Sequence, residues 1–159
     1  MTSDPRVDLA QLWAEVVRYF GPESEWVDHT RRVHGYAQQI LDGEPAADRA
    51  VVEAAAMLHD IGIPEAERRH GSSAGPYQEQ EGTPIAREIL TRLGADAQLT
   101  ETVAALVGSH HSPGEIQTPE FDVLWDADWL VNLPRDRADR IDTLFHTATG
   151  RTLARTLFS

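Results

Sequence analysis

The stretch AAAMLHDIGI, residues 54–63, decides how the rest of the chain reads. Val52, Ala55 and Ala56 lead to His59 at helical spacing, so an apolar stripe ends on a histidine that Asp60 follows at once. Burying an imidazole and a carboxylate together is costly unless each finds a partner. A divalent cation satisfies both. Gly62 and Pro64 then supply the ordinary punctuation of a helix end.

Working outward, the apolar period stays helical nearly throughout. It predicts helices over residues 8–20, 24–41, 47–60, 82–93, 97–110 and 121–132, with one or two short helices within 136–158. Gly21-Pro22, Gly43 with Pro45, Gly94, Ser112-Pro113-Gly114 and Pro134 mark the breaks. Residues 64–80, which include most of GSSAGPYQEQEG, read as the one long irregular stretch, of a length usual for lids and binding loops. Alternating strand patterns are missing, so the expected fold class is all-α. The 159 residues fit one domain over 1–159, with a core at 24–132 and closing helices at 136–158.

Composition narrows the chemistry. A hydrophobic content of 41% with 25% charged residues indicates a globular chain. No apolar run reaches the roughly 18–20 residues of a membrane span, and no basic-then-apolar leader opens the chain, so the expected location is cytoplasmic. Cysteine is absent, which excludes disulfides, thiolate metal sites and thiol nucleophiles. All 14 basic residues are arginine, which excludes Schiff-base chemistry and a phosphate-loop lysine. A net charge of −12 without a basic patch argues against duplex nucleic acid as a partner.

Four further stripes carry a residue of metal-ligand type. His29 shares a face with Val33, Tyr36, Ala37 and Ile40, and Glu81 with Ile85, Ile89 and Leu93. His110 ends the stripe of Leu99, Val103, Leu106 and Val107, with His111 on its flank. Asp128 lines up with Phe121, Leu124 and Trp125, which selects it over Asp126. One such residue alone is more often a satisfied core polar group than a ligand. Five on separate helices converge most simply on one polar centre inside a bundle. Imidazole and carboxylate without thiolate suit Mn, Fe, Co, Ni or Zn, with Mg also compatible. His34 turns off the stripe of His29 and reads as surface, as do His70 and His146. Trp26, Trp125 and Trp129 fit either core or a homodimer surface.

HTRRV (His29), LHDIG (His59-Asp60) and WDADWLVN (Asp128) together resemble the His … His-Asp … Asp signature of the HD-domain superfamily of metal-dependent phosphohydrolases. The resemblance runs from about residue 26 to 132. The stretches GSSAGPYQEQEGTPIAREIL and LVGSHH look like a subgroup of small, single-domain bacterial HD proteins. It implies a bundle of about six to eight helices around a central metal site, with His29, His59, Asp60 and Asp128 as primary ligands. Members with two metals carry further histidines; His110-His111 matches their doublet, while Gly82 stands near the place of another, with Glu81 beside it. One or two ions are therefore expected, with Glu81, His110 and His111 at the second ion or at the substrate phosphate.

The activity implied is hydrolysis of a nucleotide or other small phosphate ester through a metal-bound water. Asp60 and His110 are the candidate catalytic residues, and Arg32, Tyr77, Gln78 and Glu79 the candidate substrate contacts. Two alternatives share the ligand set: an HD-fold di-iron oxygenase, and a non-catalytic module that senses a nucleotide.

Overall fold

The computed structural model describes residues 4–158. In chain order its helices are α1 (Leu9–Phe20), α2 (Glu25–Gly43), α3 (Arg49–Leu58), α4 (Ile63–His70), α5 (Gly75–Arg92), α6 (Ala97–Val107), α7 (Pro119–Asn132), the single-turn α8 (Ile141–Leu144) and α9 (Ala148–Leu157). A 3-10 segment (Arg135–Arg140) precedes α8. No strand occurs among the described residues, so the all-α expectation holds. Asp8, Ser24, Asp48, Asp96, Thr118 and Thr147 each stand just before a helix and accept a backbone N–H of its first turn. This supplies partners that the opening turn of a helix otherwise lacks.

The middle of the fold is α3. Every residue from Ala50 to Leu58 is buried, and the alanines at 54, 55 and 56 let α1, α2, α6 and α7 pack closely around it. One charged residue lies in that run, and its partners explain it: Glu53 accepts from His34 Nε2 at 2.9 Å and Gln38 Nε2 at 3.0 Å. The His34 contact holds the Glu53 carboxyl below its ordinary range against the opposing effect of burial. His34 is accordingly no surface histidine. It leaves the His29 stripe, as expected, but it turns inward to the flank of α3. The apolar cluster around α3 runs from Val7 to Ala154 and takes in residues of α1 and α9.

The largest departure from expectation is at residues 64–80, which are mostly helical. The sequence IPEAERRH forms α4, with Pro64 in the first turn, Glu65 near the positive end, Arg68, Arg69 and His70 at the negative end, and Gly71 closing it at φ 67°. These are the standard terminal signals of a short helix, and they were there to be read. Then α5 starts at Gly75, seven residues before the expected start, and continues through Pro84. Tertiary contacts sustain the turns before that proline: the Tyr77 ring stacks on His70 at 4.2 Å, and Glu79 accepts from His111 N and Ser112 Oγ, each at 2.9 Å. Only residues 71–74 are irregular, too short a stretch for the lid expected there.

Glycines set the crossing of α5 over the ends of α3 and α6. A side chain on Gly62 would overlap the Gln78 carbonyl oxygen and lie 2.6 Å from Gly82 N. One on Gly82 would meet Val107 Cγ1 at 3.0 Å, and one on Gly108 would overlap Thr83 Oγ1. Backbone therefore lies on backbone where His59-Asp60 leaves α3. Gly62→Ala should destabilise the protein by about 3 kcal/mol, the upper part of the range for overpacking a rigid site. Urea denaturation measures this; a loss under about 0.5 kcal/mol, the scatter of ordinary surface changes, would show the contact to be loose.

Candidate metal centre

Four helices end or pass at one polar centre. His59 and Asp60 occupy the turn after α3, His110 and His111 the turn after α6, and His29 and Asp128 project from α2 and α7. The carboxyl ends of α3 and α6 carry partial negative charge, so they favour a cation and oppose Asp60. Yet Asp60 is only 5% exposed. A carboxylate in that position requires positive partners.

The imidazoles provide them. Asp60 Oδ2 lies 3.1 Å from both His29 Nε2 and His59 Nε2, while Asp60 Oδ1 lies 3.6 Å from His110 Nε2. Asp128 Oδ1 stands 3.7 Å from His29 Nε2 and 3.5 Å from His59 Nε2. Candidate ligand atoms of His29, His59 and Asp128 fall within 4.8 Å of one another, and so do those of Asp60, His110 and His111. The two oxygens of Asp60 thus face two groups.

A cation fits this donor set. His59 Nδ1 and His110 Nδ1 each lie 2.7 Å from a carbonyl three residues back, Ala56 O and Val107 O. Such a bond places the proton on Nδ1, leaving an Nε2 lone pair for a ligand. Both Nε2 atoms are buried and have no hydrogen-bond partner. His59 Nε2 is near Asp60 but misaligned for a hydrogen bond, an arrangement that a shared cation accounts for. Asn132 Nδ2 donates to Asp128 Oδ1 at 2.7 Å and fixes that carboxylate. Asn132 was not singled out in the sequence, although its spacing of four from Asp128 on one helix was the available signal.

The charges are strongly coupled. Burial pulls the His29 imidazole down, but contacts with Asp128 and Asp60 outweigh it and raise the group to about 9. His59 is likewise lifted well above its ordinary value: burial opposes, and the charges of Asp60 and Asp128 prevail. Burial pushes Asp60 and Asp128 upward, but the charge of His59 and contacts with the other imidazoles hold both carboxyls down. His111 goes the other way, lowered by burial and by the charge of His110.

Several expected residues sit beside this cluster rather than in it. Glu81 is buried, but its carboxylate meets His70 Nε2 at 2.9 Å and Arg69 Nε at 3.7 Å and falls in neither ligand group. His70 is exposed, as expected, and is the partner of Glu81. Gln78 donates to Ser73 O at 2.7 Å, which turns its Oε1 toward His111 Nε2 at 3.2 Å. Tyr77, Gln78 and Glu79 are thus helical residues packed around His70, His111 and Ser112. His146 is exposed, as expected, and pairs with Asp122 at 2.8 Å. Arg32 is exposed and points to no carboxylate among the described residues. The Trp26 ring stands edge-on to His29, 5.8 Å between centroids.

Asp126 and Asp128 divide the work of α7. Asp126 is fully buried and accepts from His146 N at 2.8 Å, Thr147 N at 2.8 Å and Thr147 Oγ1 at 2.6 Å. It fastens the start of α9. Burial raises its carboxyl, partly offset by these bonds.

The HD domain family model matches residues 26–144. The crystal structure of a predicted HD superfamily hydrolase from an uncultured Thermotogales bacterium superposes with a TM-score of 0.69 at 26% identity, covering 93% of this chain and 83% of that one. No curated protein sequence matches.

Two predictions follow from the geometry. Asp126→Ala should cost about 3 kcal/mol, because it strands buried donors, yet leave metal stoichiometry intact. Asp128→Ala should lower metal content with a smaller loss of stability; metal analysis and denaturation of both variants test the division, and equal metal loss would refute it. In chelator-treated protein, the contribution of His29 should be full below its unfolded pKa near 6.5 and fade as pH rises through about 9. Stabilisation by added zinc should instead grow over that window, because the metal displaces imidazole protons. Melting temperatures with and without zinc measure both trends, and a metal effect independent of pH would exclude the imidazoles as ligands.

Proposed function

The chain belongs to the HD-domain family, and we propose that it is a metal-dependent phosphohydrolase acting on a nucleotide or another small phosphate ester. The observation that carries this reading is the pair of buried, unpartnered Nε2 atoms of His59 and His110 on either side of Asp60. His29, His59, Asp128 and Asp60 Oδ2 would hold one divalent cation. Asp60 Oδ1, His110 and His111 offer a place for a second. A divalent cation supplies Lewis-acid polarisation of a phosphoryl oxygen and makes a water molecule more acidic.

The protein's own groups do the rest. Asp60, with one oxygen toward each ligand group, would orient a water or substrate oxygen lying between those groups. The carbonyls of Ala56 and Val107 hold the two buried imidazoles in one tautomer and one orientation. Where the second place is not filled by an ion, His110 Nε2 would have to take up a proton beside Asp60 Oδ1 first, and as the imidazolium could hand it to a leaving oxygen. His111, its imidazole lowered by desolvation and by the charge of His110, is suited to receive one. Cation and imidazoles also give an anionic substrate a local target on a protein of net charge −12.

Asp60 facing two groups also suits the di-iron oxygenase reading, since imidazole and carboxylate serve iron as well. One experiment separates them. The protein is stripped, reloaded with Mn, Co, Ni, Zn, Mg or Fe, and assayed for phosphate release from nucleotides and simple phosphomonoesters, with oxygen uptake followed in parallel. Phosphate release that Asp60→Ala lowers at least about a hundredfold supports the hydrolase. Oxygen uptake with two irons and no phosphate release would replace that reading with the oxygenase.

A further inference from the structure

Most arginines of this acidic chain are spoken for. Arg31 packs over Trp13 at 5.5 Å and approaches Asp28 at 3.8 Å; Arg137 meets Asp139 at 3.3 Å; Arg151 donates to Phe145 O at 2.7 Å. With 26 acidic side chains for 14 basic ones, a carboxylate partner is the ordinary outcome. Arg32, Arg135 and Arg140 are exceptions, their guanidinium groups having no hydrogen bond, ion pair or ring contact among the described residues. Two of the three line the same cavity. It measures about 140 Å³ and lies among α2, the end of α7, the 3-10 segment and the end of α9, with Tyr36, Leu133, Leu157 and Phe158 completing its wall.

Two features make this more than a patch of charge. Arg32 and Arg135 are the only charged residues lining it among the described residues, so no carboxylate of the wall competes for their guanidinium groups. The two long helices that line it, α2 and α7, also carry His29 and Asp128 of the metal centre. Arg32 follows His29 by three residues on α2, about one turn, and Leu133 follows Asn132, which holds Asp128.

We propose that this cavity is an anion subsite, in which Arg32 and Arg135 bind a second anionic group of the substrate, a phosphate or a carboxylate distinct from the phosphoryl group at the metals. The proposal rests on the phosphohydrolase reading for the identity of the reacting group, but not for the binding itself. It assigns a substrate class: small molecules with two anionic ends and an apolar or flat portion between them. Guanidinium donors fit carboxylate and phosphate alike, so the residues alone specify the charge and not the acid.

The test reads the site directly. In zinc-loaded protein, the arginine Nε–H resonances are followed by NMR during titration with inorganic phosphate and, separately, with benzoate. The resonances of Arg32 and Arg135 should move together with one dissociation constant; the anion that binds more tightly names the acid. The shifts should persist in Asp60→Ala and vanish for the remaining partner in Arg32→Gln or Arg135→Gln. Kinetically, either variant should reduce the preference for a substrate with a second anion over phenyl phosphate by about tenfold, in KM and not in kcat, the loss of one charge-assisted bond. Resonances that stay fixed, or that move only when Asp60 is intact, overturn the subsite even if phosphate esters are hydrolysed. Moving resonances with no ester hydrolysed overturn the phosphohydrolase reading and leave the subsite standing.

Discussion

The carboxylate of Asp60 is the constraint around which this protein is built. It is buried at the carboxyl end of one helix and next to the carboxyl end of another, where the backbone already presents negative charge. No arrangement of apolar side chains would tolerate it there. Imidazoles from α2, α3 and α6 must therefore reach the same few ångströms, and their helices must converge to bring them. The alanine-rich face of α3 and the glycines at the α5 crossing follow from the same demand, since larger residues would hold the helices apart.

Much of this was legible in order along the chain. Apolar stripes at helical spacing located α1, α2, α3, α6 and α7 to within a few residues, and the register of α7 separated Asp128 from Asp126. Local periodicity reports which face a residue occupies, and faces were what the centre required. What it could not report was partnership across the fold. His34 and His70 lie off the apolar stripes, and only tertiary packing shows that Glu53 and Glu81 claim them. The first turns of α5 contain Gly, Pro and polar residues, a composition that reads as loop until the contacts with His70, His111 and Ser112 are seen. The case of α4 differs in kind, because its terminal signals are local and complete in the sequence.

Glu53 and Glu81 show how the fold keeps acidic groups from competing for a cation. Each is buried, and each is committed to a histidine outside the ligand groups. Asp126 is committed in the same way to backbone and hydroxyl donors at the start of α9. Buried carboxylates are thus sorted by their partners into structural ones, satisfied within the protein, and those of the centre, whose imidazole neighbours keep unpartnered nitrogens. The same sorting leaves Arg32 and Arg135 conspicuous, since most other arginines have a partner.

The edge-on contact of Trp26 with His29 gives the molecule a built-in optical gauge. An indole next to a ligand imidazole sits within reach of any paramagnetic or heavy ion that the imidazole holds, so its emission responds to the state of the centre without a label or a substrate. Occupancy, exchange between metals and the order in which the two ligand groups fill become matters of fluorescence, readable on a chain whose other indoles lie on different helices.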